Sequence, residues 1–137
     1  MDDAVQGITP ARLPEAGSLS GLPVGTRFTA VGYGAQSVTI EQGPTFHYAD
    51  VRYVATGGLL ALNRSWLRIS MNPALGDGGT CCGDSGGPNF LGAGETETNI
   101  VAGTTITGDF MCRATNVDYR MDTPSARAFL EQYVTLP

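Results

Sequence analysis

The run Gly83-Asp84-Ser85-Gly86-Gly87-Pro88 constrains this chain more than any other segment, because no helix or regular strand passes comfortably through it. Its glycines carry a large backbone entropy cost in regular structure, and its proline lacks an N–H. The segment therefore reads as a loop that exposes a single serine. A serine hydroxyl is a poor nucleophile unless a base takes its proton and donors stabilise the oxyanion formed on the attacked carbonyl. The glycines permit the amides of Gly83 and Ser85 to converge on one such oxyanion, and Asp84 would pin the loop through an ion pair. Gly86-Gly87-Pro88 after Ser85 opposes a helix there and so a strand-to-helix nucleophile elbow, which disfavours an esterase pairing Ser85 with His47.

Around that loop the chain is punctuated by 19 Gly and 8 Pro, which favours short strands joined by many turns. Residues 1–25 are Gly- and Pro-rich with little periodicity and read as an extended connector leading into a domain over 26–137. Strands are expected at Arg27 to Tyr33 and Ser37 to Glu41, with Gly34-Ala35-Gln36 as a tight turn between them. Further strands are expected at Asp50 to Thr56, Leu59 to Leu62, Trp66 to Ser70, Gly87 to Leu91, Ile100 to Thr107 and Val117 to Arg120. Such spacing suits an antiparallel barrel. One helix starts at Thr123-Pro124, a capping hydroxyl followed by proline in the first turn, and would bury Phe129 and Tyr133.

With its flanks, Thr80 to Phe90, the serine loop resembles the nucleophile motif of the chymotrypsin/trypsin-like serine proteases. The likeness continues through Ile100-Val101-Ala102-Gly103-Thr104-Thr105-Ile106-Thr107-Gly108 and Cys112, then Val117 to Met121, then the terminal helix over Pro124 to Val134. Upstream, Leu13-Pro14 resembles the inter-barrel connection and Val31-Gly32-Tyr33-Gly34 the opening strand of the second barrel. The resemblance implies an all-β fold, an antiparallel Greek-key barrel of the trypsin-like type with a C-terminal α-helix. It implies Ser85 as nucleophile, Gly83 as an oxyanion donor and a Cys81–Cys112 disulfide that leaves Cys82 free at the pocket mouth.

Substrate contacts follow from the same likeness. Gly79, Thr80 and Cys82 on one side and Ile106, Thr107 and Gly108 on the other would wall the pocket for the residue before the cut bond, with Asn116 at its back. Where the family carries a Ser-Trp-Gly triplet, this chain has Ile106-Thr107-Gly108, so an aromatic wall is missing. The position whose carboxylate selects Arg or Lys in the family is Gly79 here, and Asp77 compensates only if the loop is rearranged. An uncharged side chain before the cut bond is expected.

In the family the general-base His and its orienting Asp lie on the first barrel, upstream of the position matching Leu13-Pro14, so the sequence predicts a second barrel only. Asp2 and Asp3 are expected on a surface turn. The one histidine, His47, is expected in a partly exposed loop or hairpin. The amine that normally pairs with Asp84 also belongs to the first barrel, and an unpaired Asp84 would favour a relaxed or solvent-facing loop. These readings predict a chain inactive alone, arising as a truncated protease, a half that docks with a first barrel, or a peptide-binding pseudo-protease.

The formal charge of −5 without a basic run argues against nucleic acid as a partner. No apolar stretch has the length of a membrane span, and no export signal is recognised at the N-terminus. Three cysteines, read as one bridge and one free thiol, fit a secreted or otherwise extracytoplasmic protein. No zinc-type ligand spacing occurs, and neither metal nor cofactor is expected. Asn63-Arg64-Ser65 matches a glycosylation acceptor, a weak pattern. Expected partners are a peptide or protein substrate and, through an apolar face, a first barrel or a second copy.

Overall fold

The computed structural model describes residues 5–137; Asp2 and Asp3 lie outside the described residues. Eight strands form: β1 (Arg27–Gly32), β2 (Ser37–Ile40), β3 (Pro44–His47), β4 (Tyr53–Leu62), β5 (Trp66–Ser70), β6 (Pro88–Leu91), β7 (Val101–Gly108) and β8 (Thr115–Arg120). Six close into an antiparallel barrel in the order β1-β4-β5-β8-β7-β6, with β6 pairing back onto β1 from Phe28↔Leu91 to Ala30↔Asn89. Closure removes unpaired edges. The expected all-β barrel with a C-terminal helix is therefore the observed fold.

The core is formed by Leu19, Phe28, Leu59, Leu67, Ile69 and Ala102, all essentially inaccessible. Full burial of each larger apolar side chain contributes about 1.5–3 kcal/mol. Leu19 comes from the segment before the first strand, which is tied down nearby. Its N–H donates to Asp122 Oδ2 at 2.9 Å, and Asp122 takes a two-pronged contact from Arg120, Nε to Oδ1 at 2.9 Å and Nη2 to Oδ2 at 2.8 Å. Arg120 also donates to the Asn63 carbonyl at 2.7 Å and to Ser20 Oγ at 2.9 Å. Both charges are buried, and such a pair holds only because its remaining donors and acceptors are also satisfied.

Three local expectations need correction. Gly34-Ala35-Gln36 does not join β1 and β2 as a hairpin. β1 pairs with β4 and β6, while β2 pairs with β3 as a separate two-stranded ribbon, Ser37↔His47 to Ile40↔Pro44. The intervening residues are captured instead by the serine loop: Ala35 N–H donates to the Cys82 carbonyl at 2.9 Å. Secondly, the two strands expected at 50–56 and 59–62 are one continuous strand, β4. Its pairing with β1 runs without break from Gly32↔Tyr53 to Arg27↔Gly58, so ladder bonds carry the chain straight through Gly57-Gly58.

Thirdly, the terminal helix α1 spans only Pro124–Leu130, short of the expected end at Val134. The expected cap is present, with Thr123 Oγ1 accepting the Ala126 N–H at 3.2 Å. Ala126 is buried, whereas Phe129 and Tyr133 are exposed and meet each other with ring centroids 5.3 Å apart. Ending after two turns, the helix leaves its large apolar residues outside the barrel instead of burying them.

Candidate active site

The serine loop runs from the end of a short 3-10 turn at Pro73–Leu75 to the start of β6. Gly83 and Gly86 adopt φ of 99° and 83°, a region strained for any residue with a Cβ, so the glycines expected to bend the loop do bend it there. Ser85 lies between them and is exposed. The Gly86 N–H donates to the Thr105 carbonyl at 2.8 Å, and the Thr105 N–H donates to the Gly87 carbonyl at 3.0 Å, which fastens the loop to β7 immediately after the serine. Among the described residues, the N–H groups of Gly83 and Ser85 have no protein acceptor.

Before the serine the loop is held covalently. Cys81 and Cys112 form a disulfide, as the resemblance implied, and Cys82 is a free, exposed cysteine. The Cys112 end is itself fixed. Asp109 accepts the N–H groups of Arg113 at 3.1 Å, Ala114 at 2.7 Å and Thr115 at 2.8 Å. Burial opposes ionisation of Asp109, but these backbone donors outweigh it and hold the carboxyl below its usual range.

Asp84 makes no ion pair among the described residues, yet its side chain is not turned out to solvent. Its half-buried carboxylate latches two backbone donors instead, Gly34 N–H at 2.7 Å to Oδ1 and Cys81 N–H at 2.9 Å to Oδ2. A carboxylate that accepts such charge-assisted bonds is satisfied without a cation. Beside it lies a cavity of about 380 Å³ bounded by Gly32, Ala55, Gly79, Thr80 and Asp84.

Of the residues expected to wall the substrate pocket, Gly79 and Thr80 line this cavity, whereas Cys82, Ile106, Thr107 and Gly108 do not. β7 is irregular between Thr105 and Thr107, which places Ile106 at a bulge with its side chain partly in solvent. Gly108 pairs with Asn116 on β8, and Thr80 Oγ1 donates to Asn116 Oδ1 at 2.8 Å. Asn116 is not a free pocket lining but part of a buried polar network. Asn116 Nδ2 donates to Asp118 Oδ1 at 3.0 Å, Asn89 Nδ2 to the same oxygen at 2.8 Å, and Thr105 Oγ1 to it at 3.2 Å. Asp118 Oδ2 is buried without a partner. Burial, only partly offset by the Thr105 and Asn116 bonds, pushes the Asp118 carboxyl up to about 7.

Asp77 borders the same cavity as Gly79 and Thr80, but its carboxylate is engaged. It pairs with Arg27 Nη1 at 2.5 Å. Burial would raise its carboxyl, yet Ser70, the Arg27 guanidinium and the Gly58 backbone together hold it below the usual range. Gly79 offers no carboxylate, and that of Asp77 is taken up by Arg27. His47 is exposed at the end of β3, with Nε2 2.8 Å from Thr39 Oγ1, and makes no hydrogen bond to Ser85. Sequence reasoning missed Met71, Asn89, Thr105 and Asp118 around the site. Only the polar character of three of them, on strands that had to bury one face, offered a signal.

No group of three or more His, Cys, Asp or Glu able to hold a metal ion occurs among the described residues. No helix of the described residues is long and apolar enough to cross a membrane. A family model described as Trypsin matches residues 3–129. No curated protein sequence matches the chain.

Proposed function

This chain belongs to the trypsin family, and from that premise we propose that its barrel carries the nucleophile half of a trypsin-like serine endopeptidase. Ser85 attacks the peptide carbonyl, and the amides of Gly83 and Ser85 receive the oxyanion. The observation that carries this reading is the serine loop itself. An exposed Ser85 and two unpaired amides stand on a turn fastened on one side by Cys81–Cys112 and on the other by β7. Gly79, Thr80, Cys82, Ile106, Thr107 and Gly108 form the entrance and walls of the pocket, which takes an uncharged side chain.

The base and its orienting carboxylate come from a first barrel. The sole histidine is engaged with Thr39 at 2.8 Å, which supports an outside source for the base. An apolar groove of about 540 Å³ beside the loop, lined by Pro88, Val101, Tyr119, Met121, Phe129 and Leu130, supports the same partner. A second copy is the competing occupant of this groove. The 137-residue chain alone is accordingly a poor catalyst, since losing triad members costs several orders of magnitude in rate. The disulfide fits a secreted or extracytoplasmic setting.

Labelling of Ser85 by a fluorophosphonate tests this. The chain is assayed alone and mixed with the first barrel of a related protease, with Ser85→Ala as control. Labelling confined to the mixture is the expected result. Labelling of the chain alone that His47→Ala abolishes would reassign the base. No labelling in either sample would favour the second reading, a peptide-binding pseudo-protease, which the engagement of His47 away from Ser85 also allows.

A further inference from the structure

Met71 lies just beyond the end of β5, outside the barrel's apolar core cluster, and is nevertheless 1% exposed. Its backbone is fixed by a bond from its N–H to the Ala114 carbonyl at 3.0 Å, in the segment leading into β8. The side chain lies between Gly79 and Gly108, one residue from each of the two expected pocket walls. A Cβ added to Gly79 would overlap Met71 Cγ and Sδ, so the thioether stands where a residue at position 79 would project. At the opposite wall, a Cβ added to Gly108 would lie 3.6 Å from Met71 Cε. One side chain thus spans from the limb before Ser85 to the end of β7, and these same limbs are stapled by Cys81–Cys112.

Resting on the endopeptidase reading above, we propose that Met71 fills the lower part of the specificity pocket and restricts the residue before the cut bond to glycine or alanine. The unbranched thioether suits an irregular gap of this kind, and glycine on both walls is what gives it room. Ligand side chains larger than methyl meet Met71 Cε or Sδ and must displace a side chain that is itself packed on both sides. A packed site resists such added volume.

The test uses the full chain together with the first-barrel partner of the labelling experiment, and three N-acetylated α-aminoboronic acids with hydrogen, methyl or benzyl side chains. Ser85 Oγ forms a bond to boron, the serine proton passes to the base, and boron becomes a tetrahedral anion with no group expelled. Affinity is read by protection of Ser85 from the fluorophosphonate. The wild-type chain is expected to hold the methyl compound about tenfold or more tighter than the benzyl compound, and Met71→Ala to erase or invert that ratio. Met71→Val, which keeps more of the packing, is expected to shift the ratio in the same direction by less and serves if the alanine variant does not fold. Equal affinities in the wild type, or a ratio unmoved in a folded variant, would overturn the proposal while leaving Ser85 as nucleophile. Protection by none of the three, with labelling absent, would remove the endopeptidase reading and the pocket assignment with it.

Discussion

Asp118 offers the sharpest quantitative expectation. Its side chain is fully inaccessible, one oxygen accepts three hydrogen bonds and the other accepts none, and its carboxyl titrates near 7 instead of 3.8. No charged side chain compensates it. β5 brings Leu67 opposite it, while β6, β7 and β8 bring Asn89, Thr105 and Asn116. Because the folded pKa lies above the unfolded one, the folded state binds more protons between these values, and stability falls as pH rises through that window. A shift from 3.8 to about 7 corresponds to about 4 kcal/mol lost in full above pH 7. Between pH 5 and pH 7 the loss is about 2 kcal/mol, or roughly 5–10 °C in midpoint for a domain of this size.

Asp118→Asn removes the titration while keeping the shape. The new amide nitrogen has no acceptor where Oδ2 stood, so the variant carries a penalty of its own, but that penalty does not vary with pH. Urea unfolding at pH 5, 6, 7 and 8 should show the wild type losing about 2 kcal/mol from pH 5 to pH 7 beyond any change in the variant. Parallel pH profiles for the two proteins would refute the claim that Asp118 is buried as an uncompensated acid.

Three further expectations follow from the site. Replacing Cys81 and Cys112 by serine opens a crosslink with a sequence separation of 31 and should cost about 3–4 kcal/mol in urea unfolding; an unchanged midpoint would mean the loop limbs hold each other without it. Asp84→Asn leaves one of two backbone donors facing an NH₂ group, so about 1–3 kcal/mol of local stability should vanish, and hydrogen exchange at the Gly34 and Cys81 amides should quicken while β5 amides stay protected. Gly79→Ala should destabilise the wild type by about 1–3 kcal/mol through overlap with Met71, yet be nearly neutral in a Met71→Ala background, and additivity in that double-mutant cycle would disprove the contact.

Much of the barrel was legible because its cues are local. Turn residues bounded short β-prone runs, Thr123-Pro124 marked the helix start, and the serine loop announced itself by composition. β8 shows where locality ends. Its period of two was readable, but the phase is inverted relative to the usual apolar-in rule: Asn116, Asp118 and Arg120 are buried while Val117 and Tyr119 are only half so. Nothing within the strand signals this, because the partners that make polar burial tolerable, Asn89, Thr105 and Thr80, lie 13 to 36 residues from the side chains they bond. Met71 was illegible for the same reason. An apolar residue after a strand looks like core until the glycines at 79 and 108 are seen on either side of it. The exposure of Tyr133 likewise depends on where α1 stops, which capping cues do not determine at the C-terminal end.

These long-range ties explain how a glycine-rich loop can present a serine without collapsing. Thr80 precedes Ser85 and Asn89 follows it, and both side chains end in the same buried network around Asp118. Asp84 holds the loop from the opposite side through Gly34 and Cys81, and the disulfide closes the limb nearest Gly79. The loop's own residues supply flexibility at Gly83 and Gly86, and rigidity is imported from strands distant in sequence. That division carries a physical cost at the unpartnered oxygen of Asp118, and the barrel tolerates it because the proton retained below about pH 7 removes the charge that burial would penalise.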